Sequence, residues 1–568
     1  MSLPWYVPLE KAPSLKDADI NEQPSLLKHY SNLKIHESPI EEIQSGLMCD
    51  IGMMNRDVTV IQRLIACGMT IAKLELVGLE SDDCAQLIQS IRQAVYNYST
   101  DLNYIYPLAL LMSIQGPTIE TGELKDGPKS VIEIHKNKTI RLSTEPRWKN
   151  SGTCECLYVR YDHLTKLHPS DKIFIDSVAP GEKIQLSVLE VGECSVECRV
   201  NIGGLIGSKM AVRIPKVPEH CHSINDEGDS TSIYTITSNE SSEKPIEQKD
   251  QIAWAVASDI DALLIPRCQY SSDVRLFKEL LSENGKHILI FASVETVRGL
   301  DNIDDILKEA DGIFLDRNNL STDLPIEKIF IAQKMILAKC NLIGKPCICK
   351  AVINEHIPTL CVSDIANLII DGADVIYLEL NFSDSPLKKL RPSHDSNRIA
   401  THCLAAASVI CKEAEHILWK PSIYGNLELM QSPLNEPSKG ICVSAVELAM
   451  RSRASVILCM TNSGRTAKIL SYVKPPCPIV AVTRTCHAAR QLRFWRGVRA
   501  VHCFDEVKSN WNSEVEARIL VAIDYCKAKR ILCAGDPYVV VTGTRRGVGY
   551  CDSIRLLYAS ARNMVIVE

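Results

Sequence analysis

The sequence predicts an α/β protein built on a parallel sheet or barrel, interrupted by a small all-β module and followed by a second α/β unit. Three observations carry this reading. From Leu47 short apolar runs alternate with amphipathic stretches; over residues 119–216 short strands follow one another between turn residues; after residue 248 the alternation resumes.

Residues 1–44 are polar and punctuated by proline, and read as a helical or flexible arm. Val58 to Cys67 has the spacing of an amphipathic helix ended by Gly68, and Ile71 to Leu76 then reads as a strand. Tyr106 to Ile114 is a further strand, broken by Gly116-Pro117. In the all-β stretch the strands are Thr139–Ser143, Ile173–Asp176, Ile184–Val188 and Glu197–Val200. Residues 217–248 are rich in Ser, Glu, Asn, Asp and Thr, too polar to bury much, and are expected to be disordered. Strands are then expected at Ala262–Ile265, Ile288–Phe291, Gly312–Leu315, Cys347–Cys349 and Val375–Leu378. Glu327 to Ile336 reads as an amphipathic helix, closed by Gly344 before the buried strand at Cys347. A long helical stretch from about 395 opens a C-terminal domain, 395–568, with strands at Ser455–Met460, Ile479–Val482, Ala500–Cys503 and Val539–Thr542.

Composition narrows the function. A chain of 568 residues with 46% hydrophobic and 23% charged residues matches a multidomain globular protein. A net charge of −6 and 5% aromatics give no basis for nucleic-acid or anionic-membrane binding. The 23 cysteines are scattered, with Cys154-x-Cys156 and Cys347-x-Cys349 too tightly spaced for a zinc site, and fit a reduced cytosolic protein with buried thiols. The first residues lack a basic region and an apolar core, and no run of about 20 apolar residues exists.

Several motifs carry a resemblance. Ser113-Ile114-Gln115-Gly116-Pro117-Thr118-Ile119-Glu120-Thr121-Gly122, the Gly203-Gly204-x-x-Gly207-Ser208-Lys209 turn, Ala310-Asp311-Gly312-Ile313, Asp371-Gly372-Ala373-Asp374 and the 327–349 helix–strand unit occur in order. Together they resemble pyruvate kinase over about residues 45–568. The resemblance implies a (β/α)8 (TIM) barrel at 45–118 and 249–394, an inserted small β-barrel domain at 119–216 and an α/β C-terminal domain. It also implies a reaction, phosphoenolpyruvate plus ADP to pyruvate plus ATP, with Mg2+ and K+ as cofactors and a tetrameric assembly.

At the positions that do this chemistry in the family, the sequence departs. Ser293 replaces the essential lysine, and a hydroxyl cannot supply the charge that stabilises a transferring phosphoryl group. Of the two metal-binding carboxylates, Glu295 is retained and the other position is Asn319, a neutral and weaker ligand for a hard dication. Where the family reads Ala-Thr-Gln this chain reads Lys350-Ala351-Val352, so Ala351 replaces the threonine linked to enolate protonation. Lys73 keeps a charge but not the fork of the family's arginine, Glu120 reverses the sign of another arginine, and Ser113, Ile114 and Val77 stand where potassium ligands are expected. Asp176, Lys209 and Glu295 survive, and solvation or packing accounts for each equally well.

The C-terminal domain keeps more. Thr461-Asn462-Ser463-Gly464-Arg465-Thr466 follows a strand and precedes a helix expected from near Ala467, an arrangement that offers free N–H groups and a guanidinium to an anion. It resembles the sugar-bisphosphate effector loop of allosteric pyruvate kinases, with Asn462 where a lysine is usual. Trp511 and Arg518 match the family's grip on the second phosphate, and Gly543-Thr544-Arg545-Arg546-Gly547-Val548-Gly549 its glycine-rich loop.

The sequence is therefore identified as a pyruvate kinase-family chain with a degenerate active site. It is expected to be impaired or inactive, a cytoplasmic non-catalytic or regulatory subunit in homo- or hetero-tetramers with active paralogues. An active enzyme with rearranged or weak activity and a structural protein are the alternatives. Mg2+ and K+ binding is expected to be weakened or lost, and a sugar bisphosphate is the expected ligand of the C-terminal domain.

Overall fold

The computed structural model describes residues 26–560 apart from 40–41, 53–54, 75–80, 103, 115–118, 128–129, 160, 162–163, 179–182, 215–243, 355–358, 382–393, 420–436 and 548. Eight parallel strands close into a barrel: Gly46–Ile51, Ile71–Leu74, Ala109–Ser113, Ala262–Ile265, Leu289–Val294, Gly312–Leu315, Cys347–Asn354 and Val375–Asn381. They are numbered here barrel strands one to eight, and strand eight pairs with strand one from Gly46 opposite Val375.

The helices form where the sequence gives them an apolar stripe and defined ends. In Val58–Ala66 the buried residues are Val60, Ile61, Leu64 and Ile65, and the Asp57 side chain accepts from the Thr59 N–H at 2.7 Å as an N-cap. Ile329–Ile343 stops at Gly344, whose φ of 79° lies in the left-handed region. Alternate residues of each strand then separate into two layers. Leu47, Cys49, Ile51 and their counterparts pack outward against the helices. Met48, Ile71, Leu111, Phe291, Phe314 and Ile348 fill the lumen. Strands five and six come together at Gly312, where a Cβ would lie 2.3 Å from a Phe291 ring carbon.

The lumen core continues into the C-terminal domain, with the Phe291 and Phe494 rings 4.8 Å apart. That domain is a five-stranded sheet in the order Val498–His502, Ile479–Thr483, Val456–Met460, Pro537–Thr542 and Ser553–Tyr558, the last strand antiparallel. A buried ion pair fastens it to the barrel: Arg490 Nε lies 2.8 Å from Asp261 Oδ1, while Asp261 Oδ2 accepts from the Leu110 N–H at 2.8 Å.

Between barrel strands three and four, the β-domain is a seven-stranded sheet in the order Ile119–Glu120, Ala211–Arg213, Lys172–Asp176, Lys183–Val191, Ser195–Ile202, Thr139–Ser143 and Cys156–Tyr158. A bridge between Thr121 and Val159 links the ends of its first and last strands.

Three expected boundaries move. Helix His394–His416 buries Ala400, Cys403, Leu404, Ala407 and Cys411 in the outer barrel layer, so it is the eighth barrel helix and not the start of the C-terminal domain. Within the stretch expected to be disordered, residues 244–248 open helix Lys244–Ala257, where a proline in the first turn costs no hydrogen bond; its other residues lie outside those described. The helix expected near Ala467 begins at Arg465. Of the expected arm, Leu26–Ser31 is helical, and the buried His29 ring reaches the Ile417 carbonyl at 2.8 Å. Among the described residues no helix is long and apolar enough to cross a membrane.

Candidate functional site

In a parallel barrel, inward-facing residues at the strand C-termini line the mouth. Two residues beyond the lumen-filling Met48, Ile71, Phe291, Phe314 and Ile348 stand Asp50, Lys73, Ser293, Asp316 and Lys350. The apolar lumen is thus capped by a polar ring of fixed sequence phase.

The ring has two clusters. In one, Lys73 Nζ lies 2.7 Å from Asp50 Oδ1 and 3.2 Å from the Tyr377 hydroxyl, which itself donates to Asp50 Oδ2. In the other, Lys350 Nζ lies 3.1 Å from Asp316 Oδ2 and 2.9 Å from Glu379 Oε1. Burial pushes the Asp316 carboxyl up, but Lys350, the Asn319 N–H and Arg213 outweigh it and hold the group below the usual carboxylate range. Burial likewise pulls the Lys350 ammonium down, and Asp316 and Glu379 reverse this and hold it above the usual lysine range. Outside the ring, Arg317 grips Asp364 through both terminal nitrogens at 2.5 and 2.6 Å and donates to the Lys350 carbonyl at 2.9 Å, fixing strand seven against the strand-six loop.

Glu295, the retained carboxylate, is enclosed. Its Oε1 accepts from the Ser293 hydroxyl at 2.8 Å and the Arg267 N–H at 3.4 Å. Its Oε2 accepts from Asn319 Nδ2 at 2.9 Å, and Asn319 Nδ2 also lies 3.0 Å from Asp316 Oδ2. From the β-domain, Arg213 Nη1 comes within 3.6 Å of Glu295 Oε2 and Nη2 within 3.6 Å of Asp176. Lys183 Nζ donates to Asn319 Oδ1 at 3.2 Å and to the Asn318 carbonyl at 3.1 Å. Burial and the nearby Arg213 pull the Lys183 ammonium down to about 8, against Asp176, Asp316 and Glu295.

These contacts decide how the residues suit a divalent metal. Asn319 turns its amide nitrogen, a donor, toward the two carboxylates, and its oxygen is taken by Lys183. The Asp316 and Glu379 oxygens face an ammonium. A hard dication needs several free oxygens converging on one point; this donor set does not fit one.

The remaining expected residues are dispersed. Ala351 packs in the outer strand–helix layer, on the opposite face of strand seven from Lys350, so the residue that meets the mouth is the lysine. Ser113, two residues beyond the lumen-filling Leu111, ends strand three half-buried and in phase with the ring, and Glu120 lies on the first β-domain strand opposite Ala211. Lys209 is an exposed residue paired with Glu123 at 3.1 Å. Glu75 and Val77 lie outside the described residues. The sequence reading missed Asp50, Asp316, Tyr377, Glu379, Lys183 and Arg213. For Asp50 and Asp316, as for the orientation of Lys350, the signal was the period of two beyond the inward apolar residues.

In the C-terminal domain the Thr461 hydroxyl caps its loop by accepting from the Gly464 N–H at 3.0 Å, and Gly464, with φ 81°, leads into helix Arg465–Tyr472. Thr461 and Thr466 are buried; Asn462, Ser463 and Arg465 are exposed on the loop, as are Arg545 and Gly547 on the glycine-rich segment. Trp511 Nε1, at the start of helix Trp511–Ala528, donates to the Gly543 carbonyl at 2.8 Å and ties that helix to the glycine-rich segment. Arg518 is buried: its Nε donates to Glu514 at 2.8 Å and its Nη1 to Asn462 Oδ1 at 3.1 Å. Hydrogen bonding by Arg484 above all, against burial and aided by the Lys508 N–H and Arg518, holds the Glu514 carboxyl down to about 2.

At the seam of barrel and C-terminal domain, Asp259, His287 and His487 bring one ligand atom each within 4.8 Å of one another. Arg490 Nη2 already lies 2.8 Å from Asp259 Oδ2 and 3.5 Å from His487 Nδ1, so a guanidinium fills the cation position.

Comparison with known proteins agrees with this architecture. The model of the pyruvate kinase barrel domain matches residues 43–383, and that of the pyruvate kinase alpha/beta domain matches residues 439–557. The chain is similar to pyruvate kinase PKLR of Rattus norvegicus, 29% identical over 545 residues, covering 94% of this chain and 88% of the relative. It is also similar to pyruvate kinase 1 of Trypanosoma brucei brucei, 28% identical over 541 residues, covering 94% and 99%. The chain belongs to the pyruvate kinase family.

Proposed function

We propose that this chain is a catalytically impaired member of its glycolytic family, a non-catalytic or regulatory cytoplasmic subunit that retains a sugar-phosphate site. The observation that carries the proposal is the closure of Glu295: its carboxylate, with Asp316, is bridged by the Asn319 amide in place of a second metal-binding acid. Strand five offers Ser293, not an ammonium, beside it. Mg2+ and K+, which the family uses, would bind weakly or not at all.

The C-terminal loop supports the retained ligand site. Ser463 and Arg465 are exposed on the turn that opens helix Arg465–Tyr472, a helix N-terminus suited to phosphate, and Arg545 is exposed on the glycine-rich segment. Assembly with itself or with active paralogues, as in the family's tetramers, is supported by the apolar exposure of Ile326, Phe330, Ile331 and Leu360 along the barrel helices. Within such an assembly the chain would alter regulation without turning over substrate.

The test is direct. The purified chain, with phosphoenolpyruvate, ADP, magnesium and potassium, forms pyruvate at least about 10³-fold more slowly than an active family member. Brisk magnesium-dependent turnover overturns the proposal. It would favour the second reading, an enzyme whose cation comes from strand seven, where Lys350 enters the mouth.

A further inference from the structure

The β-domain has an apolar core of its own, with members from Leu124 to Ile214, separate from both layers of the barrel. Domains with separate cores move against each other unless something fastens them. Three neighbouring strands of the β-domain sheet, Ala211–Arg213, Lys172–Asp176 and Lys183–Val191, come to the barrel mouth at Arg213, Asp176 and Lys183. Asp176 stands opposite Lys183 in register, and Arg213 lies on the strand to the other side.

Two of these three residues are cations that cross to the barrel. Lys183 Nζ donates to the Asn318 carbonyl at 3.1 Å and to Asn319 Oδ1 at 3.2 Å, on the short helix Arg317–Leu320 that follows strand six. Arg213 is flanked by one carboxylate from each domain, Asp176 Oδ2 at 3.6 Å and Glu295 Oε2 at 3.6 Å. The Arg213 and Glu295 side chains are 18% and 9% exposed, so water and salt screen their attraction little. Without the guanidinium, Asp176 and Glu295 would face each other across the domain boundary as like charges.

Asn319 couples this fastening to the mouth. Its amide oxygen accepts from Lys183, and its nitrogen is held by Glu295 and Asp316. The acceptor that meets the lysine is therefore oriented by bonds within the barrel itself.

We infer that Lys183 and Arg213 form a ligand-independent latch that holds the β-domain over the barrel mouth. The contact is autoinhibitory: it keeps Glu295 and Asn319 covered by the chain's own side chains. It concerns where the β-domain stands and not turnover, so it is judged apart from the functional proposal. Because the bonds are few and polar, the latch opens when both cations are removed and holds where the charge is kept.

The experiment follows backbone hydrogen exchange in the full-length chain without added ligand, by mass spectrometry, alongside small-angle X-ray scattering. In the unmodified chain residues 316–322 exchange slowly. In Lys183→Met combined with Arg213→Met, exchange over 316–322 is at least about tenfold faster and the radius of gyration rises. Exchange over Ser195–Ile202, in the β-domain, and over Leu289–Val294, in the barrel, is unchanged, which separates opening from unfolding. Lys183→Arg keeps the charge and exchanges as the unmodified chain does. Equal exchange at the mouth in the unmodified chain and the folded double variant overturns the inference, as does opening in Lys183→Arg as wide as in the double variant.

If the double variant loses protection over Ser195–Ile202, Lys183→Gln carries the same comparison, since Lys183 lies outside the β-domain core. Faster exchange at the mouth then supports the latch, and an unchanged rate overturns it. An inactive unmodified chain whose double variant stays closed sinks this inference alone. A briskly active unmodified chain sinks the functional proposal, whatever the exchange shows.

Discussion

Asn319 Nδ2 lies 2.9 Å from Glu295 Oε2 and 3.0 Å from Asp316 Oδ2, so one neutral amide bridges two carboxylates. Replacing it by an acid removes the donor and adds a third negative charge. Asn319→Asp is therefore expected to be less stable than the parent by about 2 kcal/mol in metal-free buffer. Urea unfolding measures this, and unchanged stability would mean that the bridge bears no weight.

Ser293 is buried and spends its hydroxyl on Glu295 Oε1 at 2.8 Å. A lysine placed there meets a carboxylate already held by Asn319 and faced by Arg213. Ser293→Lys is thus expected to leave pyruvate formation at least about 10³-fold below that of an active family member. Recovery to within tenfold of an active enzyme would refute this.

The arginines of the effector-like region differ in exposure. Arg465 and Arg545 are exposed, whereas Arg518 is spent on Glu514 and Asn462. A charge-assisted contact contributes about 1.5–3 kcal/mol, so Arg465→Ala weakens fructose bisphosphate binding by about tenfold or more. Lys73→Ala, in the barrel, leaves it unchanged. Thermal shift with increasing ligand checks both, and no shift in the unmodified chain at millimolar ligand would mean that the loop is only a helix cap.

Alkaline pH exposes the weight of the thiols. Burial pushes Cys198 and Cys526 up to about 12, and Cys49, Cys411 and Cys459 well above the thiol range. In the unfolded chain thiols ionise near about 8.5. The unfolded state then binds fewer protons, and stability falls as pH rises, by up to about 1.4 kcal/mol per pH unit for each such thiol. Lys183, drawn down to about 8, acts with the opposite sign: folded protein sheds its proton first, so stability rises from about pH 8 toward the ordinary lysine value. Lys345 and Lys468 are drawn down by burial as well, but the buried thiols pushed up, Cys268 and Cys347 among them, outnumber these lysines, and the urea midpoint under reducing conditions should drop from pH 8 to 10. A flat profile would contradict the burial of these groups.

The barrel's strand positions were legible because apolar runs bounded by Gly and polar residues admit few alternatives; Ala262–Ile265 and Gly312–Leu315 emerge with both ends as expected. Strand Ser553–Tyr558 was not legible: it is an edge strand, half-exposed along most of its length, and lacks the alternation that marks a one-sided face. At the site, comparison by motif pointed to Ala351, while the pleat turns its neighbour Lys350 into the mouth. The commitment of Arg518 was written in its spacing, four residues after Glu514 on one helix, but was outweighed by the likeness to a phosphate grip. Lys183 and Arg213 reach the mouth only because the β-domain sits over it, a tertiary fact with no local signature.

The contact of Phe291 with Phe494 has a consequence for synthesis. The floor of the barrel is supplied by residues translated more than a hundred positions after strand eight ends at Asn381. At about 5–20 residues per second, a ribosome leaves the apolar lumen open at its base for on the order of ten seconds after the eighth strand is made. Until Phe494 is made the nascent barrel keeps lumen surface uncovered at its base, and a chain cut short before Phe494 would keep it so.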